Sequence, residues 1–158
     1  MLKLDLSVAL VRRIDKDGTR WLARISPDGQ FLSFIIGDRL QQESFRETAI
    51  REVAWELAID RNRDFLVSNM AQMNLEFIDL IPGQFDKTHV VVSFYNVEIY
   101  RKAVVQTLRE DPRNVWVTSE EICSGVSHQG PPFDPIVPYL INRSNVIQYW
   151  ESSSGSGS

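Results

Sequence analysis

The sequence predicts an α+β domain: a mixed β-sheet with one long central helix and smaller helices toward the C-terminus. Three observations carry that expectation. Residues 4–36 are strand-like runs separated by Asp-Gly turns. Residues 44–58 switch to a helical period. Two more β-rich runs then precede a C-terminal third punctuated by Gly and Pro.

LDLSVALVRRI (4–14) is aliphatic and β-branched and leads into Asp17-Gly18. TRWLARIS (19–26) alternates, Pro27-Asp28-Gly29 turns the chain, and FLSFII (31–36) follows, so the opening reads as a β-meander. From Ser44 to Ala58 the apolar Phe45, Ala49, Ile50, Val53, Ala54 and Leu57 share one helical face. Ser44 with Glu47 three residues on is a capping-box pattern, and the helix is expected to stop near Ile59, before DRNRD. NLEFIDLI (74–81) and THVVVSFYNVEIY (88–100) suit an antiparallel hairpin with a long loop. After a polar, charged stretch, NVWVTSEEI (114–122) reads as a strand and then a helix capped at Thr118 or Ser119. A Gly/Pro-rich loop (124–135) precedes a last helical segment, 136–147, with Pro138 tolerated in its first turn.

The 158 residues suit one domain, expected over 1–151; SSSGSGS (152–158) reads as a flexible linker or fusion remnant, which hints at a piece of a longer chain. Net charge is −4 and no basic stripe stands out, so a dedicated nucleic-acid binder is not expected. A nucleotide ligand is compatible with that balance, because a divalent cation can bring its phosphates in. The lone Cys123 forms no internal disulfide and implies a reducing, cytoplasmic setting. No apolar run has the length of a membrane span.

The chemistry is concentrated in the predicted helix. Glu52 and Glu56 stand one turn apart, and two carboxylates at that spacing can converge on one hard divalent cation. Glu43 and Glu47 precede Arg51 by eight and four positions, so either can brace it. The blander reading of the same residues is a solvated face laced with weak i,i+4 pairs.

The full pattern favours a site. Gly37, five residues, Glu43, seven residues, Arg51-Glu52-Val53, two residues, then Glu56 and Ile59 resembles the Nudix box, within a meander–helix–strand context that also resembles that family. WVTSEEI (116–122) resembles the Trp-Val…Glu-Glu segment near the end of such domains. The resemblance implies a loop–helix–loop that holds Mg²⁺ or Mn²⁺ against a pyrophosphate, and hydrolysis of a nucleoside diphosphate-linked substrate by water attack on phosphorus. It implies Gly37 (through its carbonyl), Glu52 and Glu56 as metal ligands, with Arg51 and Glu43 bracing them. It implies a nucleotide-derived small molecule as partner, and homodimerisation as in many relatives. No further organic cofactor is expected.

The departures lie close to that chemistry. Trp55 replaces the first glutamate of the motif's Glu-Glu pair, Ala58 replaces its second glycine, and Ile35-Ile36 and Gln41-Gln42 stand where turn residues are frequent. The Ala58 change is mild only if the backbone there does not need positive φ. Trp55 reads either as a packing residue at a sheet edge or partner surface, or as a platform for a base. Family enzymes often add a later acidic residue, and spacing does not choose among Glu98, Glu110, Asp111 and Glu120. Two functions follow from these residues: a metal-dependent hydrolase attenuated by Trp55, or a catalytically inactive nucleotide-binding, regulatory or interaction module.

Overall fold

The computed structural model describes residues 1–153. Its spine is a 14-residue strand, β1 (Leu2–Asp15). Leu6, Val8 and Leu10 of β1 enter one apolar cluster and Ala9 and Val11 the other, so both faces of the strand are covered. An almost unbroken apolar run is what a strand sandwiched on both faces requires.

β2 (Gly18–Ile25), β3 (Leu32–Ser33) and β4 (Ile35–Asp38) follow. One edge of β1 is shared: Leu6–Ala9 pair antiparallel with β4, and Arg12–Asp15 with β2. The expected single strand over 31–36 is therefore two. Leu32 and Ser33 pair with β2, whereas Ile35 and Ile36 pair with β1. The chain crosses between them at Phe34, whose buried ring meets Phe133 edge-on at 6.4 Å.

The central helix is α1 (Phe45–Leu57), with the Ser44–Glu47 capping box formed. Ala49, Ile50, Val53 and Leu57 bury its inner face against β1, β5 (Phe65–Val67) and β7 (Thr88–Ile99). β7 lies parallel to β1 from Leu2↔Thr88 to Val11↔Val97, and β6 (Met73–Asp79) and β7 form the expected antiparallel pair. The opposite face is covered by α3 (Ser119–Ser124) and α4 (Ile136–Ser144) through Ile122, Val137, Leu140 and Ile141. This is the predicted α+β architecture, a mixed sheet between the motif helix and the C-terminal helices.

Two elements went unread in the sequence. β5 is only three residues long, too short for a period; α2 (Lys102–Glu110) is amphipathic but short, lies in a stretch read as polar and charged, and buries only Leu108. β8 (Asn114–Val117) extends β2, and Thr118 caps α3 in a box with Glu121. α4 ends at Ser144, short of the expected 147, because Asn145 adopts the left-handed conformation at its C-cap. At the C-terminus, the Ser152 amide donates to Ser119 Oγ at 3.0 Å, so the start of the expected 152–158 linker lies against the fold. Residues 154–158 of that segment lie outside the described residues.

Candidate active site

β4 ends in Gly37-Asp38, a short loop carries Glu43, and Ser44 starts α1. Arg51 ties these pieces together. Its Nε donates to Glu43 Oε2 at 2.7 Å and its Nη2 to Glu43 Oε1 at 3.0 Å. Nη2 also donates to the Asp38 carbonyl at 3.0 Å, and Nη1 to Glu52 Oε1 at 2.6 Å. Glu43 further accepts the Leu40 amide at 3.1 Å and the Thr48 hydroxyl at 2.9 Å. The Arg51 hydrogen bond, with help from Leu40 and Thr48, pulls the Glu43 carboxyl down to about 2. Glu47 does not reach Arg51; its carboxylate accepts the Ser44 amide at 3.3 Å in the capping box.

Glu52 lies across Gly37. A Cβ built on Gly37 would stand 2.3 Å from Glu52 Cγ and 2.9 Å from its Cδ, so only glycine admits this carboxylate against the strand. Glu56, one turn on, faces a different cation: its Oε2 lies 3.6 Å from Arg24 Nε of β2. Glu52 and Glu56 each engage one oxygen, and among the described residues the other oxygen of each accepts no hydrogen bond. Glu52 and Glu56, 20% and 38% exposed, thus each keep one oxygen of the hard kind that a divalent cation takes. Among the described residues no group of three or more His, Cys, Asp or Glu could hold a metal.

Trp55 is 81% exposed. Packing on the sheet edge is thereby excluded, and a partner surface and a platform for a base are the readings compatible with that exposure. Ala58 is the C-cap of α1 at φ 53, so the backbone does require the left-handed region and the change from glycine is a strained one. Ile35 and Ile36 stand in the β1–β4 ladder, as part of the strand expected over 31–36, and they line a cleft of about 240 Å³ with Arg24, Ser33, Glu56 and Arg113. A larger groove of about 480 Å³, lined by Arg12, Leu66, Asn96 and Glu98 among others, includes no residue of the motif, and the cleft at Glu56 is the one that bears on the chemistry.

Of the four later acidic candidates, Asp111 is the one brought to this cluster, its Oδ2 lying 3.7 Å from Arg24 Nη1. Glu98 lines the larger groove, and Glu110 accepts from Gln106 at 2.9 Å. Arg24 itself was missed. Its signal was a lone arginine at the end of the run Trp21-Leu22-Ala23, all buried in the fold. Burial pushes the Cys123 thiol up, and His89 pairs with Glu76 at 2.6 Å; neither joins the motif.

No protein-family model matches the chain, and no curated protein matches it in sequence. Solved structures do. The C. elegans Ap4A hydrolase aligns over 95% of this chain and 96% of its own, at TM-score 0.55 and 9% identity. A Nudix hydrolase from M. smegmatis, RenU, aligns over 89% and 83%, at TM-score 0.51 and 11% identity. The chain has the Nudix fold. Shewanella oneidensis NrtR shares this fold at TM-score 0.60 and 12% identity, over 89% of this chain and 61% of NrtR. NrtR has also been solved with a 27mer DNA, so the Nudix fold by itself does not exclude nucleic acid as a partner. No helix among the described residues is long and apolar enough to cross a membrane.

Proposed function

We propose that this Nudix-fold chain is a divalent-cation-dependent hydrolase of a nucleoside diphosphate-linked substrate, attenuated by Trp55. The observation that carries the reading is the contact between Gly37 and Glu52, where the strand lacks a side chain at the place a motif carboxylate crosses it. Gly37, Glu52 and Glu56 would hold one Mg²⁺ or Mn²⁺, which when bound neutralises phosphate charge and lowers the pKa of an attacking water. Arg51 and Glu43 are positioning residues: they hold the Gly37–Glu43 loop and the Glu52 carboxylate in one place. Trp55 removes a third oxygen donor from the helix and leaves an indole on the same exposed stretch.

A small nucleotide-derived ligand, rather than nucleic acid, suits the net charge of −4. A reducing compartment such as the cytoplasm suits a lone, half-buried Cys123. A homodimer or a larger protein remains the proposed setting for the domain. A second reading, a binding module without turnover, is favoured by one observation: Glu56 already faces a cation, Arg24.

The test is product release from a panel of nucleoside-diphosphate derivatives with Mg²⁺ or Mn²⁺, run beside Glu56→Gln. Metal-dependent release that disappears in the variant is expected. Silence across the panel, with a nucleotide still binding by calorimetry, would establish the binding module instead.

A further inference from the structure

Two arginines serve the motif, and they are bonded very differently. Arg51 is saturated, with four hydrogen bonds of 2.6–3.0 Å and carboxylates on two sides. Arg24 is more deeply buried, with 9% of its side chain exposed, yet among the described residues its only hydrogen-bond acceptor is the neutral amide oxygen of Asn114. Its Nε is closed off from solvent and, among the described residues, has no hydrogen-bond acceptor. The two carboxylates it faces, Glu56 and Asp111, stop at 3.6 and 3.7 Å, well beyond the roughly 2.7–2.9 Å of a charge-assisted hydrogen bond. A buried guanidinium keeps its charge cheaply only when its donors are met. Burial first, and then the neighbouring Arg113, lower the Arg24 pKa, while Asp111 and Glu56 act against them.

The unmet donor belongs to a residue of the cleft wall. Arg24, Arg113, Ser26, Ser33 and Glu56 share that cleft, so two guanidiniums and two hydroxyl side chains surround one motif carboxylate. Its volume of about 240 Å³ falls below the roughly 300–1,000 Å³ of pockets that enclose whole small molecules, so it takes part of a ligand, and the guanidiniums on its wall suit the phosphate part.

Building on the hydrolytic reading of this cleft, we infer that Arg24 and Arg113 form a phosphate subsite in which Arg24 exchanges partners. In the free protein Arg24 faces Glu56; an incoming phosphoryl oxygen takes Glu56's place at Nε and frees Glu56 to serve the cation. Glu56 Oε2 is the anionic oxygen that faces Nε, at 3.6 Å, so an incoming phosphoryl oxygen at Nε competes with it. Anion binding and completion of the cation site are thereby coupled, and a cation is held firmly only when a phosphate ligand is present.

The experiment uses inorganic pyrophosphate and Mn²⁺ as separate probes on the whole chain. In metal-free buffer, ¹⁵N-arginine spectra of the wild type should show the Arg24 Nε–H signal, assigned by its absence in Arg24→Lys, moving on pyrophosphate addition. Calorimetry should show pyrophosphate binding weakened at least tenfold in Arg24→Gln and tightened severalfold in Glu56→Gln, where the competing charge is gone. Without pyrophosphate, Arg24→Gln should bind Mn²⁺ more tightly than the wild type, because Glu56 is released. Opposite effects of one substitution on two ligands separate exchange from simple structural support, which would weaken both. An Arg24 Nε–H signal unmoved at saturating pyrophosphate would overturn the inference, and that measurement needs no variant beyond the assignment. Pyrophosphate at Arg24 with a silent substrate panel would keep this subsite and remove the hydrolase; turnover with an unmoved Arg24 signal would do the reverse.

Discussion

Arg51 and Glu43 meet through two parallel hydrogen bonds, Nε to Oε2 at 2.7 Å and Nη2 to Oε1 at 3.0 Å. This paired geometry ties the second turn of α1 to the loop before it. The eight-residue interval between them is therefore a distance measured across a loop–helix corner rather than along a helix face. It is also why the blander reading, a solvated ladder of i,i+4 pairs, does not describe this stretch.

Glu43 makes stability pH-dependent in a defined direction. Its folded-state pKa of about 2 lies below the ordinary 4.5, so its contribution is complete above about pH 4.5 and is lost as pH falls toward 2. Glu43→Gln should cost about 1–2 kcal/mol at pH 7, allowing for solvent screening. In urea unfolding, the gap between variant and wild type should be visibly narrower at pH 3. A gap of equal size at both pH values would show that the charge on Glu43 contributes nothing.

Gly37→Ala tests the crossing of strand and carboxylate. The new Cβ would meet Glu52 Cγ at 2.3 Å, and the side chain rather than the strand would give way. A loss of about 1–3 kcal/mol is expected from overpacking. The decisive readout is Mn²⁺ affinity, which should fall on the order of tenfold as Glu52 leaves its place. Unchanged affinity would remove Glu52 from the cation site.

Trp55→Glu restores an oxygen donor beside Glu52 at a position that is 81% exposed. Stability should change by no more than about 0.5 kcal/mol, as for a surface substitution. Mn²⁺ affinity should rise on the order of tenfold, since ligand charge count sets affinity for hard cations. Turnover should rise with it. Thermal shift with and without Mn²⁺, beside the substrate panel, measures both; a variant equal to wild type in each would mean that Trp55 attenuates nothing.

Ala58→Gly should stabilise the protein. A non-glycine residue at φ 53 costs roughly 1–2 kcal/mol, part of which glycine returns as backbone entropy in the unfolded chain. A net gain of about 0.5–1 kcal/mol corresponds to about 1–4 °C in Tm for a chain of this size. A lower Tm would show that the Ala58 methyl makes compensating contacts.

Elements with a strong period were legible: β1, α1 and the β6–β7 pair each bury a repeating set of side chains, the Ser44 cap sits where hydroxyl and glutamate spacing placed it, and of Thr118 and Ser119 it is Thr118 that caps α3. What escaped was short or weakly buried. β5 offers three residues, too few for a period to register, and α2 is amphipathic but only nine residues long in a charged stretch, with a single buried leucine. The division of 31–36 was hidden because both halves are extended, and strand propensity does not say which neighbour supplies the hydrogen bonds. The site divides in the same way. Gly37, Glu43, Arg51 and Glu52 belong to one local segment whose spacing encodes its contacts. Arg24 and Asp111 come from strands and loops 32 and 55 residues from Glu56 in sequence, and no local pattern links them.

The sequence by itself determined the Nudix-like α+β architecture, the motif helix and the carboxylates on it, because period, caps and fixed spacing are local properties of a chain. Only the tertiary structure decided what each carboxylate faces: Glu52 meets Gly37 and Arg51, while Glu56 meets a buried Arg24 with an unmet donor. The reason is physical. A helix fixes the direction in which a side chain leaves the backbone, but the charge waiting for it is brought there by the pairing of strands distant in sequence.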